Sequence, residues 1–172
     1  MRQYQFFRIL FCFLALSLSV AQASERDLQG VFAVDATASE SIGTAIDNGT
    51  ADMNFAIRGV ARRRIAQTNP RYDRIRIAHS DTLITVQFDA RDALEIPADG
   101  RSVPWTREDG GRYDVTAQWN PSQIVMHFDA GDGQRTNTIV LAPDGMSLKL
   151  MVKLVSSHLP RPIEYTLFYR RQ

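Results

Sequence analysis

Residues 111–156 have the sequence GRYDVTAQWNPSQIVMHFDAGDGQRTNTIVLAPDGMSLKLMVKLVS. Apolar side chains occupy every second position in two of its runs: Tyr113, Val115, Ala117 and Trp119, and later Leu148, Leu150, Val152 and Leu154. Alternation with a period of two is typical of a β-strand that buries one face. The pattern continues through residues 163–170, so this half of the chain is predicted to form antiparallel sheet.

Turn sequences interrupt the alternation every 10 to 12 residues: Asp99-Gly100, Asp109-Gly110-Gly111, Asn120-Pro121, Asp132-Gly133 and Asp144-Gly145. Asp-Gly favours tight hairpins, which need a positive φ, and even spacing indicates an up-and-down meander. We therefore predict a mainly β chain of about ten strands, near residues 29–34, 72–79, 82–89, 92–96, 101–107, 111–119, 122–129, 134–141, 145–156 and 162–171. Ten strands leave two exposed edges unless the sheet closes, so a barrel is expected.

A helical period lies between the first two predicted strands. Apolar or small residues recur there at spacings of three and four: Ile42, Ile46, Gly49, Met53, Ile57 and Val60. This spacing predicts an N-terminal helical pair over roughly 38–67, with a break near 48–50. The two helices are expected at 38–47 and 51–67, because the residue before Pro70 avoids the helical region. The pair is predicted to act as a lid on the barrel.

The first 23 residues are typical of a signal peptide. Arg2 and Arg8 flank an apolar start, Ile9–Val20 form a short apolar core, and residues 21–23 match an Ala-x-Ala cleavage site. A retained membrane anchor is the alternative. Cleavage would leave a single β-barrel domain at 24–172, with 149 residues, a formal charge of −1 and no cysteine. We expect this mature chain to be periplasmic or secreted and to lack a transmembrane segment.

Composition and motifs exclude several classes of function. The intact chain has a formal charge of +1, too balanced for a nucleic-acid partner that needs a basic surface. The sequence has no His-x-x-x-His metal spacing, Gly-rich phosphate loop or Gly-x-Ser-x-Gly elbow, so we predict no metal, no cofactor and no catalytic residue. An enzyme that uses His127 and a tyrosine as an acid/base pair is the weakest of the functional hypotheses.

The element order is similar to that of the fatty-acid-binding-protein branch of the calycins, in which two helices cover a ten-stranded barrel. Gly30-Val31-Phe32 stands where calycins often carry Gly-x-Trp, with Phe in place of Trp. Fatty-acid binders carry Arg-x-Tyr on the last strand, whereas this chain has Tyr169-Arg170, so the resemblance transfers no binding residue. An eight-stranded lipocalin-like barrel, with the helical segment as an insertion, is the alternative.

Candidate ligand-binding residues come from the alternation and from the charge pattern. Aromatic side chains on strands could line an apolar pocket, and His127 could add a polar contact. Arg58 and Arg62 lie four apart in an arginine-rich helix and could attract an acyl carboxylate or an anionic membrane at the barrel mouth. The alternatives are core aromatics, a surface histidine and a solvated helix face. The candidate set is Trp105, Tyr113, Trp119, His127, Tyr165, Tyr169, Arg58 and Arg62.

Two functions follow from this architecture. A hollow barrel would make the protein an exported binding module for a small apolar or amphipathic, lipid-like ligand. A filled barrel would instead suit a module that docks on an envelope protein through its helices or a sheet edge. The decisive feature is therefore the space inside the barrel.

Overall fold

A computed structural model describes residues 27–172, so the predicted signal peptide lies outside the described residues. The chain is mainly β, and its elements follow the predicted order. They are β1 (Gly30–Asp35), α1 (Ile42–Gly49), α2 (Phe55–Thr68), β2 (Arg74–His79), β3 (Leu83–Phe88), β4 (Leu94–Pro97), β5 (Val103–Thr106), β6 (Arg112–Asn120), β7 (Gln123–Asp129), β8 (Gly133–Leu141), β9 (Ser147–Ser156) and β10 (Ile163–Arg171).

The ten strands form one antiparallel sheet in the order β4-β3-β2-β1-β10-β9-β8-β7-β6-β5. The first strand pairs with the last, with Val34 opposite Tyr169, and this pairing curls the meander into a nearly closed barrel. The remaining seam lies between β4 and β5, which lie side by side without a hydrogen-bonded ladder. Pro97 and Pro104 lie on these two edge strands, where a missing backbone N–H costs no ladder bond. The predicted ten-stranded barrel is confirmed.

The helical pair lies between β1 and β2, as predicted, but each helix starts later than expected. Residues 36–39 form a turn instead, because the Asp35 carboxylate accepts hydrogen bonds from Thr37 and Ala38. The α1 helix then begins after Ser41, whose hydroxyl caps Thr44 N, and α2 begins after Asn54. The predicted end before Pro70 is confirmed, since α2 ends at Thr68.

The up-and-down topology gives the barrel two different ends. The helices and the β3–β4, β5–β6, β7–β8 and β9–β10 connections lie at one end, called here the helix end. The opposite end, the base, is covered by the N-terminal residues. Leu28 is fully buried there, and Arg171 donates to the carbonyls of Asp27 and Gln29 while its guanidinium lies 4.6 Å from the Phe32 ring centre. These contacts hold the base shut.

The two helices are held to the barrel unequally. Ile46 of α1 is buried, and Gly49 lies so close to Ile163 of β10 that a Cβ would clash. By contrast, no residue of α2 is buried. The second helix therefore lies over the barrel opening with little packing of its own. None of the helices within residues 27–172 has the length and apolar character needed to cross a bilayer.

Candidate ligand-binding site

The barrel interior is packed at the base and open at the helix end. Side chains in the lower part leave no accessible surface: Phe32, Ile84, Ile96, Ile124, Met126, Ile139 and Leu150 are each 0 % exposed. A side chain beside an empty cavity keeps some accessible surface, so these values describe a filled core. Toward the helix end the inward-facing side chains Trp105, Tyr113 and Leu154 are only partly buried. The interior is therefore hollow in one half only.

A cavity of about 240 Å³ occupies the open half. Aromatic and aliphatic side chains, Trp105 among them, supply most of its surface, and polar and charged side chains supply the rest. The ring of Trp105 lies 5.6 Å from that of Tyr113 and 5.7 Å from that of Phe128, centre to centre. Ile65 and Asn69, at the C-terminal end of α2, complete the wall on the helix side. An apolar space with a few convergent polar groups is the usual form of a small-molecule site.

One cationic side chain points into this cavity from the wall. Arg135 lies on the inward face of β8 and is partly buried. Its Nε donates to Asn137 Oδ1 at 2.8 Å, and its Nη1 donates to Asn69 Oδ1 at 2.7 Å. Both partners are neutral amides, and in residues 27–172 no carboxylate lies within ion-pairing distance of the guanidinium. The guanidinium therefore has no counter-charge at ion-pairing distance, although the carboxylates of Asp92 and Asp132 also line the cavity.

A buried hydroxyl without a partner lies near this charge. Tyr165 of β10 is 3 % exposed, and its Oη has no well-formed hydrogen bond with any described residue, although the Arg135 guanidinium lies close enough to act on it as a weak donor. Burial raises the pKa of Tyr165, and the positive charge of Arg135 opposes that rise, so the phenol stays protonated at neutral pH and can donate. A buried polar group without a partner is uncommon in native proteins and often marks a site that binds something.

Two other arginines at the cavity mouth already have acidic partners. Arg107 donates to both carboxylate oxygens of Asp109, at 2.6 and 2.5 Å, and lies 5.4 Å from the ring centre of Tyr113. Arg91 Nη1 lies 3.4 Å from Glu108 Oε2. Because these cations are neutralised locally, Arg135 is the arginine of the cavity wall best suited to receive an anion.

The structure separates the eight predicted ligand-binding residues into three groups. Trp105 and Tyr113 line the cavity, and Tyr165 lies beside its polar wall. Trp119 and Tyr169 point into the barrel but do not line the cavity. The Trp119 ring packs 4.1 Å from that of His79 near the base, and the Tyr169 hydroxyl donates to the Tyr72 carbonyl at 3.1 Å.

The third group lies outside the cavity. His127 is exposed on the outer face of the barrel, with Nδ1 3.1 Å from Thr136 Oγ1. Arg58 donates to the carbonyl of Met53, and Arg62 lies 3.0 Å from Asp47 on α1. The two arginines hold the helical pair together and do not line the cavity.

The polar wall of the cavity, formed by Arg135 and Asn137, is absent from the predicted set, although the sequence of β8 carries a signal for it. The inward positions of β8 are Arg135, Asn137, Ile139 and Leu141, so two polar residues interrupt an otherwise apolar alternation. Such an interruption at core positions indicates a buried polar site. No cluster of three or more His, Cys, Asp or Glu that could hold a metal is present from residue 27 onward.

No protein-family model matches the chain, and no curated protein sequence matches it. Solved structures do match. The chain is similar to a protein described as the REP1-NXSQ fatty acid transporter, with a TM-score of 0.54 and 13% identity over 84% of this chain and 96% of that one. The chain is also similar to a Tyr-to-Phe mutant of that transporter, with a TM-score of 0.51 and 13% identity over 84% of this chain and 98% of that one. The chain therefore has a calycin-like fold.

The two buried tyrosines provide a test of this site. Replacing Tyr169 with Phe removes the hydrogen bond to Tyr72 and should lower the free energy of unfolding by about 1 kcal/mol. Replacing Tyr165 with Phe removes a buried hydroxyl that has no well-formed hydrogen bond, so the free energy of unfolding should stay unchanged or rise. Urea denaturation of both variants measures the difference. Equal destabilisation would mean that the Tyr165 hydroxyl is a structural group.

Proposed function

We propose that the protein binds small amphipathic anions, such as carboxylic acids with an apolar body, in the cavity at the helix end. One observation carries this proposal: the guanidinium of Arg135, which has no carboxylate at ion-pairing distance, lines a cavity with a mainly apolar surface, and the buried hydroxyl of Tyr165 lies beside it. The calycin-like fold, shared with structures described as fatty acid transporters, supports the same class of ligand.

A bound carboxylate would satisfy both polar groups together. Arg135 Nη2 makes no well-formed hydrogen bond with a described residue, so it can donate to the ligand while Nε and Nη1 stay bound to the two asparagines. The Tyr165 hydroxyl can donate to the same anion. Hydrogen bonds to an ionised group are about twice as strong as neutral ones, and burying a cation without a counter-charge is costly. The site therefore favours an acid over a neutral ligand of the same shape.

The rest of the cavity would hold the apolar part of the ligand. Trp105, Tyr113 and Phe128 offer flat apolar surface, and Leu154 adds an aliphatic wall. Removing apolar ligand surface from water contributes about 25 cal/mol per Å². The aromatic wall then supplies affinity, and Arg135 supplies orientation and selectivity for anions.

Substitution of Arg135 tests the selectivity directly. The protein should bind octanoate more tightly than octanol, because both ligands have the same tail and only octanoate carries a charge. In Arg135→Gln this preference should fall by roughly 10- to 100-fold, since a hydrogen bond to a charged group contributes about 1.5–3 kcal/mol. Isothermal titration calorimetry with both ligands measures it. Octanol affinity is the internal control, because it reports whether the cavity survives.

A second variant covers the case in which Arg135→Gln does not fold. Asn69→Asp places a carboxylate against Nη1 and neutralises Arg135 without removing it. It also removes the hydrogen bonds that Asn69 Nδ2 donates to Ile65 O and Thr68 Oγ1, so octanol affinity again reports whether the cavity survives. Octanoate should again lose its advantage over octanol. If octanoate keeps its full preference in both variants, Arg135 does not receive the acid group and the proposal is wrong.

Export remains part of the proposal. The arginine-flanked apolar stretch and the Ala21-Gln22-Ala23 site support cleavage before Ser24, which would place the binding module in the periplasm or outside the cell. Protein purified from its own host should have the intact mass of a chain that begins at Ser24. A mass that includes residues 1–23 would contradict export by cleavage. The predicted envelope-protein partner stays a prediction.

A further inference from the structure

Five aromatic rings line the cavity, and they come from two parts of the barrel wall. Three belong to neighbouring strands: Trp105 of β5, Tyr113 of β6 and Phe128 of β7. The other two are Tyr72, just ahead of β2, and Phe88 at the end of β3, whose ring centres lie 4.5 Å apart. Offset-stacked and edge-to-face ring pairs gain energy beyond the burial of their surface. A wall of this kind therefore discriminates in favour of a flat aromatic ligand.

The register of the sheet brings the first group of rings to Arg135. Trp105 lies directly opposite Tyr113, and Phe128 lies directly opposite Arg135. The Trp105 ring packs against the rings of both Tyr113 and Phe128. Directly opposed side chains on one face of an antiparallel pair have Cβ atoms about 4.5–5.5 Å apart. An acid group bound at Arg135 therefore has an aromatic ring beside it, and the first few ligand atoms beyond the carboxylate lie against that ring.

The size of the cavity matches a ligand with a single ring. A dry cavity of about 150 Å³ holds one benzene, and this cavity has about 240 Å³. The difference leaves room for a short chain that carries a carboxylate. A rigid ring also loses less conformational freedom on binding than a flexible acyl chain of similar size.

We propose that the preferred ligands are arylalkanoic acids, in which one aromatic ring carries a short carboxylate chain. This inference rests on the proposed function and deepens it, because it specifies the apolar body of the acid. The carboxylate lies at Arg135, and the ring packs against Phe128 and Trp105. A linear acid of similar size binds at the same guanidinium but gains only the burial of its apolar surface.

Two ligands that differ only in the ring test the proposal. Phenylpropionate and cyclohexylpropionate, each with the ring at the end of the chain, have the same carboxylate and the same number of carbon atoms. Isothermal titration calorimetry should show about three- to tenfold tighter binding of phenylpropionate, because the cyclohexyl ring is thicker and has no π-face to pair with the wall.

Replacing Trp105 with Leu keeps an apolar side chain at the wall and removes the ring that contacts both of its neighbours. Both acids lose contact area in this variant, so the ratio of their affinities is the readout. The preference for phenylpropionate should fall about threefold. The matched control is Trp119→Leu, which should leave the ratio unchanged because the Trp119 ring packs on His79 and does not line the cavity.

Phe128→Leu gives the same test at the ring opposite Arg135 if Trp105→Leu does not fold. Cyclohexylpropionate bound as tightly as phenylpropionate by the unaltered protein, or a preference that survives both variants, would overturn the inference about aromatic acids. The acid site would still stand if both acids bind more weakly to Arg135→Gln. If neither acid binds the unaltered protein, or if Arg135→Gln binds both as well as the unaltered protein does, the proposed function fails and this inference fails with it.

Discussion

The inward face of β8 changes from apolar to polar at Asn137, and this change determines where the barrel is filled. On the side of Asn137 toward the base, Ile139 and Leu141 continue the alternation and are buried in the filled core. On the side toward the helix end, Asn137 and Arg135 need hydrogen-bond partners, which the mainly apolar wall around them supplies only in part. Asn137 and the distant Asn69 satisfy part of Arg135, and space remains for an anion. The boundary between packed core and cavity follows from this requirement.

The division separates the groups that stabilise the fold from the proposed binding site. The fully buried apolar side chains, the β1–β10 pairing and the Arg171 contacts all lie in the base or around the barrel wall, where they hold the fold without a disulfide. The helix end can then retain an unpaired charge, an unpartnered hydroxyl and a thinly packed helix. Departures from good packing of this kind are expected at functional sites. The same logic explains why α1 is seated on β10 while α2 is not.

Much of this architecture is encoded locally. The period of two and the Asp-Gly turns place β9 and β10 within two residues of their observed starts, because each hairpin depends on neighbouring residues. The helix starts are harder to predict, since the Asp35 side chain binds the backbone N–H groups of residues 37–38 before α1 and the Asn54 side chain caps α2. Closure of the barrel follows from the order of the ten strands, and the sequence pattern predicts that order.

The binding site could be predicted only in part. Trp105 and Tyr113 follow from the alternation, but the cluster of arginines on α2 is a stronger charge signal than Arg135, the one cation of β8. Whether that cation meets a carboxylate or an amide depends on Asn69, which is 66 positions away in sequence, so spacing gives no information about it. The polar interruption of β8 was visible, and its meaning depends on the tertiary contact.

The most direct measurement is a crystal structure of the protein with octanoate. The account predicts a carboxylate within hydrogen-bond distance of Arg135 and Tyr165, a tail against Trp105, and a base unchanged from the free protein. Octanoate found only on the outer surface, or a helix end that stays empty at saturating ligand, would contradict it.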